Sequence, residues 1–292
     1  MPGITTRFLI LSDTHADPDC QPNLSSLSAD VAIHCGDLTE ESKLCEFISA
    51  IDLLRGINAP LKLKKIAEAA CPIESDLVKK EFGDYDEARQ LFTNAKEAGI
   101  ILLDEGRHIF TLSNGASLAV YASPYTPSPH AEMGFHPPRG VLDRTDTNQR
   151  AGCERLFAEV ARARPKMHCF GHIHEGWGAK PVAWRGMTAT DEPFHFTDVD
   201  NERSDTFETL ASLKAGKWDS TKVIDQKEKK LETYRAQGYC TPSSSHTNGA
   251  EDTVQQTLFV NASIQGLEEG SQLPWLVEIE LSRAVGNGDE GS

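Results

Sequence analysis

Apolar residues recur along this chain in two rhythms. Short continuous runs, Phe8-Leu9-Ile10-Leu11 and Val31-Ala32-Ile33, each lead into a polar turn, Ser12-Asp13-Thr14-His15 after the first and Gly36-Asp37-Leu38-Thr39 after the second. Such runs predict buried strands over 7–12 and 30–35 that carry carboxylates at their C-terminal ends. The second rhythm is helical: Leu44, Phe47, Ile48, Ile51 and Leu54 mark one face of a helix over 40–54. A further helix over 84–98 ends at Gly99 and feeds the strand-like Ile100-Ile101-Leu102-Leu103. Segments 108–112 and 117–121 form a hairpin closed by Asn114-Gly115. Prolines crowd 123–138 into a loop, helical spacing returns over 148–164, and a strand over 166–170 delivers Gly171-His172-Ile173-His174. Strands alternating with helices predict an α/β layered fold.

Beyond Trp184 the texture changes. Residues 187–256 are rich in Asp, Glu, Lys, Ser and Thr, which predicts a polar, partly disordered insertion with one helix around 224–235. Apolar texture resumes over 257–262 and 275–281 as closing strands, and 286–292 reads as a disordered tail. The expected organisation is a main domain over 1–186, the insertion over 187–256, and strands within 257–285 that complete the same domain.

The 292 residues carry 44 acidic and 29 basic side chains, a formal charge of −15. A chain this acidic repels nucleic acid and anionic bilayers, whose general grip depends on Lys and Arg. A small phosphorylated molecule remains compatible, because a bound metal inverts the local sign. The excess is also uneven: residues 57–186 hold 16 acidic and 17 basic side chains. No apolar run approaches the roughly 18 residues of a membrane span or forms a signal-peptide core. Seven cysteines without a Cys-x-x-Cys pair form neither a disulfide framework nor a thiolate zinc site. A reducing, cytoplasmic setting is expected, and Asn23-Leu24-Ser25 and Asn261-Ala262-Ser263 match the glycosylation triplet by chance. Oligomeric state is not legible.

Three clusters at strand ends carry chemistry: Asp13-Thr14-His15, Gly36-Asp37 and Gly171-His172-Ile173-His174. Carboxylate and imidazole are the ligands expected of Mn, Fe or Zn, and a carboxylate can bridge two ions about 3.5–4 Å apart. Each cluster also has a bland reading: a helix cap, a common strand-end turn, a pair of surface histidines. Their shared placement at strand ends favours one site. His34 and His168, inside apolar runs, read as packing residues.

In these motifs the chain resembles the calcineurin-like metallophosphoesterase superfamily, and 8–15, 34–39 and 169–176 are similar to its small metallophosphoesterase-domain subfamily. The resemblance covers about 6–184 and resumes at Leu258-Phe259-Val260-Asn261-Ala262 and Leu273-Pro274-Trp275. It implies a four-layer α-β-β-α sandwich with a two-metal site, hydrolysing a small phosphomonoester or phosphodiester with metal-activated water. Carried over by position, Asp13, His15 and His174 would hold the first metal, Asp37 would bridge, and His172 would bind the second, with Asp37 and His172 as catalytic residues.

Two family motifs are missing. No Gly-Asn-His segment follows Gly36-Asp37: Leu61-Lys62-Leu63 starts the strand that should lead there, then helix-like Lys64-Lys65-Ile66 follows, and Asn58 precedes the strand instead of ending it. The strand ending in a lone ligating His is also lost; Phe135-His136-Pro137-Pro138 leaves His136 as either the surviving ligand or an accidental neighbour. One fully liganded site, one site short of ligands and a central sheet lacking two strands are therefore expected. Impaired activity follows, or a metal-binding protein without turnover. Both breaks look like excised sequence, as skipped exons or a misdrawn gene would leave.

Overall fold

The run Phe8-Leu9-Ile10-Leu11 is apolar at every position because both faces of its strand are covered. Phe8 and Ile10 point into the core between two sheets, and Leu9 and Leu11 point into a second core under helices. The computed structural model describes residues 3–17, 24, 27–65, 76–84, 86–123, 141–143, 152–185, 198–204, 206–242, 255–265 and 272–285.

The first sheet contains β1 (Ile4–Leu11), β2 (Val31–His34), β3 (Leu61–Lys65) and β4 (Ile100–Leu103) as parallel neighbours in chain order. The last strand, β12 (Trp275–Leu281), pairs antiparallel with β1 from Ile4↔Leu281 to Ile10↔Trp275. Helix α1 (Leu44–Gly56) covers the outer face through Phe47, Ala50, Ile51 and Leu54, while Ile48, expected on that face, is 44% exposed. Helix α3 (Glu87–Asn94) adds Phe92 to the same core, and a short helix α2 (Asp76–Phe82), not foreseen in the sequence, precedes it.

Hairpin β5 (Gly106–Thr111) and β6 (Ser117–Ala122) forms as expected around Asn114-Gly115. The second large sheet contains β7 (Met167–Phe170), β8 (Gly178–Trp184), β9 (Val199–Asp200), β10 (Glu208–Thr209) and β11 (Gln256–Asn261). Its inner face, with Trp177, Ala179 and Val260, meets Phe8, Ile10, Val31 and Leu63 of the first sheet. On its outer face Val182, Trp184 and Phe259 pack against Phe157, Val160 and Ala161 of α4 (Glu154–Ala163). Helix, sheet, sheet and helix layers therefore stack as an α-β-β-α sandwich. At its centre the Trp177 and Trp275 rings stack at 4.9 Å, both 0% exposed.

The strand after Pro60 departs from expectation. Lys64 and Lys65 extend β3 instead of starting a helix, and β3 is paired on both sides, so the first of the two strands expected to be absent is present. Leu61 and Leu63 face the inter-sheet core, and alternation turns Lys62 and Lys64 to the helix side, where both are buried. Lys62 Nζ meets that cost by donating to the carbonyls of Ala59 at 2.7 Å and Ala98 at 3.0 Å. The other gap persists: among the described residues β7 pairs only with β11, and all four of its residues are half-buried.

The polar segment is partly built into the fold. Strands β9 and β10 pair with the two ends of β8, while α5 (Leu210–Leu213) and α6 (Thr221–Gln237, spanning the expected helix) supply Leu213, Leu231 and Tyr234 to the inter-sheet core.

The buried tryptophan pair makes β12 part of the core rather than an appendage. Trp275→Ala should cost about 3–5 kcal/mol, read as a fall in the urea midpoint at unchanged slope; a loss under about 1 kcal/mol would contradict this packing.

Candidate metal centre

Strand β1 ends on the Asp13 turn, β2 on Gly36-Asp37 and β7 on Gly171-His172, so three strands of two sheets bring their C-terminal ends together. Backbone bonds weld the turns. Asp13 N–H donates to the Gly36 carbonyl at 3.0 Å and His15 N–H to the Asp37 carbonyl at 3.1 Å. His172 N–H donates to both oxygens of the Asp13 carboxylate, at 2.9 and 3.0 Å. A Cβ on Gly171 would overlap Ser12 Oγ and that carboxylate, so only glycine lets β7 approach so closely.

Asp13 is 0% exposed, and a buried carboxylate has to be paired or ligated. His174 Nε2 lies 3.1 Å from its Oδ1. His172 Nδ1 lies 2.8 Å from Asp37 Oδ2. Both ring nitrogens of His15 are buried without a hydrogen-bond partner, although the Glu40 carboxylate lies 2.7 Å from Nδ1 as a close ion-pair contact. Imidazole ligands usually present one nitrogen to the ion and the other to a carboxylate of this kind. Two donor groups result, Asp13, His15 and His174 in one and Asp13, Asp37 and His172 in the other, with the donor atoms of each within 4.8 Å of one another. The carboxylate common to both groups is that of Asp13; Asp37, expected to bridge, belongs to the second.

Backbone strain is concentrated here. Asp13 (φ 58°), His15 (46°), Asp37 (46°) and His172 (73°) all occupy the left-handed region. Each such residue costs on the order of 1–3 kcal/mol, and the arrangement persists only because the surrounding bonds dictate it.

The donors perturb one another. The hydrogen bond from His172 holds the Asp37 carboxyl down at about 2 and raises His172, and the hydrogen bond to Asp13 raises His174. Lys64, only 3% exposed, is held down at about 8 by burial, partly offset by the charges of Cys35, Asp37 and Asp13. Sequence reading missed both this ammonium and Glu40.

Residues from the C-terminal strands brace the centre. Buried Asn261 donates from Nδ2, the nitrogen a glycan would need, to the carbonyls of Leu142 and Ile173, and its Oδ1 accepts from Ser263 N–H. Gln272 donates to the His174 carbonyl. His34 is buried beside Thr14 Oγ1 at 3.0 Å and His168 lies between the Phe170 and Phe259 rings, each 5.3 Å away. Asn58 forms a bridge with Ser28 on the chain leading into β3. His136 lies outside the described residues, and no described helix is long and apolar enough to cross a membrane.

No family model matches this chain. Human metallophosphoesterase domain-containing protein 1 is 28% identical over 221 residues, covering 61% of this chain and 63% of the human protein. The Caenorhabditis elegans UPF0046 protein K07C11.7 is 26% identical over 193 residues, 59% of this chain and 64% of the worm protein. Probable rhamnogalacturonate lyase C of Emericella nidulans is 28% identical over 201 residues, 61% of this chain but 18% of the fungal protein. The chain thus spans less than two thirds of the length of these relatives. The human likeness, together with the two donor groups, supports a metallophosphoesterase relationship at the family level.

Ions and protons compete for the same imidazoles. With His172 and His174 raised by their carboxylate partners, Mn²⁺ binding should strengthen as pH rises from about 6 to 8, by up to about one decade per unit for the one raised imidazole in each donor group that must lose its proton. The paired carboxylates work in the opposite direction for the metal-free fold: stability from the raised histidines is full below about 6.5 and is lost as pH rises through their folded values, while that from Asp37 is lost as pH falls toward 2. Calorimetric titration with Mn²⁺ at several pH values reads the first effect; affinity independent of pH would contradict it.

Proposed function

We propose that this chain is a metal-dependent phosphoesterase that hydrolyses a small phosphomonoester or phosphodiester. The observation that carries the reading is the gathering of five oxygen and nitrogen donor residues from two sheets around one of their number, the buried Asp13 carboxylate, with four of the five at positive φ. Mixed carboxylate and imidazole donors suit Mn, Fe or Zn. When bound, such an ion supplies Lewis acidity toward phosphoryl oxygen and lowers the pKa of water.

The chain's own residues then divide the work. Asp13, His15 and His174 form one holding group, with the Glu40 carboxylate 2.7 Å from His15 Nδ1. Asp37 and His172 face each other across the second group and keep one proton between them at 2.8 Å. That pair can take a proton from an attacking water or return one to a leaving alkoxide, given the raised imidazole and depressed carboxyl. The Lys64 ammonium places positive charge behind Asp13 and Asp37, offsetting part of the acidic cluster before an anionic substrate arrives. The sequence carries no Gly-Asn-His segment after β3 to supply a neutral amide donor and a further imidazole, so turnover below that of a fully liganded two-metal site is expected.

A second reading, metal binding without turnover, is favoured by the same Lys64: a buried ammonium near Asp37 weakens a second cation there by like-charge repulsion. Hydrolysis of bis(p-nitrophenyl) phosphate with added Mn²⁺ separates the two. The enzyme reading expects measurable turnover that Asp37→Asn lowers by about 10²-fold or more. Tight Mn²⁺ uptake with no hydrolysis of mono- or diester at any ion concentration would overturn it in favour of the second.

A further inference from the structure

Thr14 stands between two donors of the centre, Asp13 and His15, and its Oγ1 lies 3.0 Å from Nε2 of His34, a hydrogen bond between two buried side chains. His34 is the last residue of β2, only 1% exposed, and is paired in register with Leu11 of β1 and Lys64 of β3. A ring carried by an interior strand with neighbours on both sides is a rigid anchor. The turn that it reaches is strained: Asp13 and His15 stand at φ 58° and 46°. Such conformations persist only where their surroundings dictate them.

Three successive residues of this turn are tied to the end of β2. Asp13 N–H donates to the Gly36 carbonyl at 3.0 Å and His15 N–H to the Asp37 carbonyl at 3.1 Å, and Thr14 is held between them through its side chain. The outer two bonds join backbone to backbone and form with almost any residue at those positions. The middle one requires a hydroxyl at position 14 and a hydrogen-bonding nitrogen at position 34. His34 is also a costly way to fill a buried strand. Val31-Ala32-Ile33 before it are apolar, whereas its own Nδ1 is buried without a hydrogen-bond partner among the described residues. An orphaned buried nitrogen detracts from stability, so packing does not account for an imidazole here. The bond to Thr14 does.

We propose that His34 is a positioning residue for the metal centre, holding the Asp13-Thr14-His15 turn through Thr14 Oγ1 so that both donors face one ion. It acts only through Thr14. Its effect on the ion rests on the proposed function, whereas the tether itself does not, and the test reads them apart.

Replacing both partners of a buried hydrogen bond by apolar side chains of similar shape is close to neutral for a fold, which lets stability and ion holding be separated. In the full-length chain, Thr14→Val combined with His34→Leu should leave the urea midpoint of the metal-free protein unchanged or raised, while Mn²⁺ affinity falls about tenfold or more. Thr14→Val alone should lose as much, and the double variant no more than that, because the two residues act through one bond. Thr14→Ser keeps the hydroxyl and should keep the affinity. Hydrogen exchange of the metal-free chains reads the tether without an ion: in Thr14→Val the Asp13 and His15 amides should exchange faster, with Leu9 and Ile10 of β1 at the original rate. Unchanged affinity in Thr14→Val, equal losses in Thr14→Val and Thr14→Ser, or a lowered urea midpoint in the double variant, which marks His34 as a packing residue, would overturn the proposal. An unsubstituted chain that takes up no Mn²⁺ overturns the proposed function instead, and the exchange rates then judge the tether by themselves.

Discussion

The Asp13 carboxylate is the point on which both sheets depend. It is fully buried at the end of β1, accepts the His172 N–H on both oxygens and meets His174 Nε2 at 3.1 Å. These bonds join the first sheet to β7 of the second, at the same end of the sandwich as the Ser12–Ser263 bridge that ties β1 to the chain after β11. Removing one partner of a buried charge typically costs about 3–5 kcal/mol, because the other is left uncompensated. The same need for compensation makes the position suited to a cation. Holding the fold and holding an ion are therefore one constraint here, and the positive φ values of Asp13, His15, Asp37 and His172 are its local consequence.

Much of the architecture could be read from the chain because the relevant signals were local. Continuous apolar runs ending in Asp or Gly-Asp mark interior parallel strands covered on both faces, and β1 and β2 are such strands. The helical spacing before Leu54, the Asn114-Gly115 hairpin and the helix within 221–237 likewise depend on neighbouring residues alone. β3 was the hardest case. Leu-Lys-Leu-Lys alternation implies one wet face, yet both lysines are buried, Lys62 on two carbonyls and Lys64 against the charges of the centre. Nothing local in the sequence announces such partners. Strands β9 and β10 were hidden for a related reason: two-residue pairings to the ends of β8 leave no periodicity in a polar stretch.

The site shows the same division. Motif order brought Asp13, His15, Asp37, His172 and His174 forward as candidates, and the structure sets them in two groups that share Asp13. The residues that orient them come from segments distant in sequence. Glu40 lies beyond the second turn, Asn261 follows β11 and holds the carbonyls of Leu142 and Ile173, and Gln272 holds His174. Asn261 and Gln272 act through hydrogen bonds to backbone and Glu40 through an ion-pair contact with the His15 ring, neither of which residue spacing encodes. Lys64 stands apart from them, since burial holds its ammonium down at about 8 and the charges of Asp37 and Asp13 offset part of that.

The central claim is that an ion sits against Asp13 between His15 and His174. Anomalous diffraction from a crystal of the full chain grown with Mn²⁺ tests it most directly. The expected result is a principal peak within coordination distance of an Asp13 carboxylate oxygen and of one nitrogen each of His15 and His174, with any second peak weaker and on the Asp37 and His172 side. A principal peak remote from Asp13, or none at saturating Mn²⁺, would contradict it.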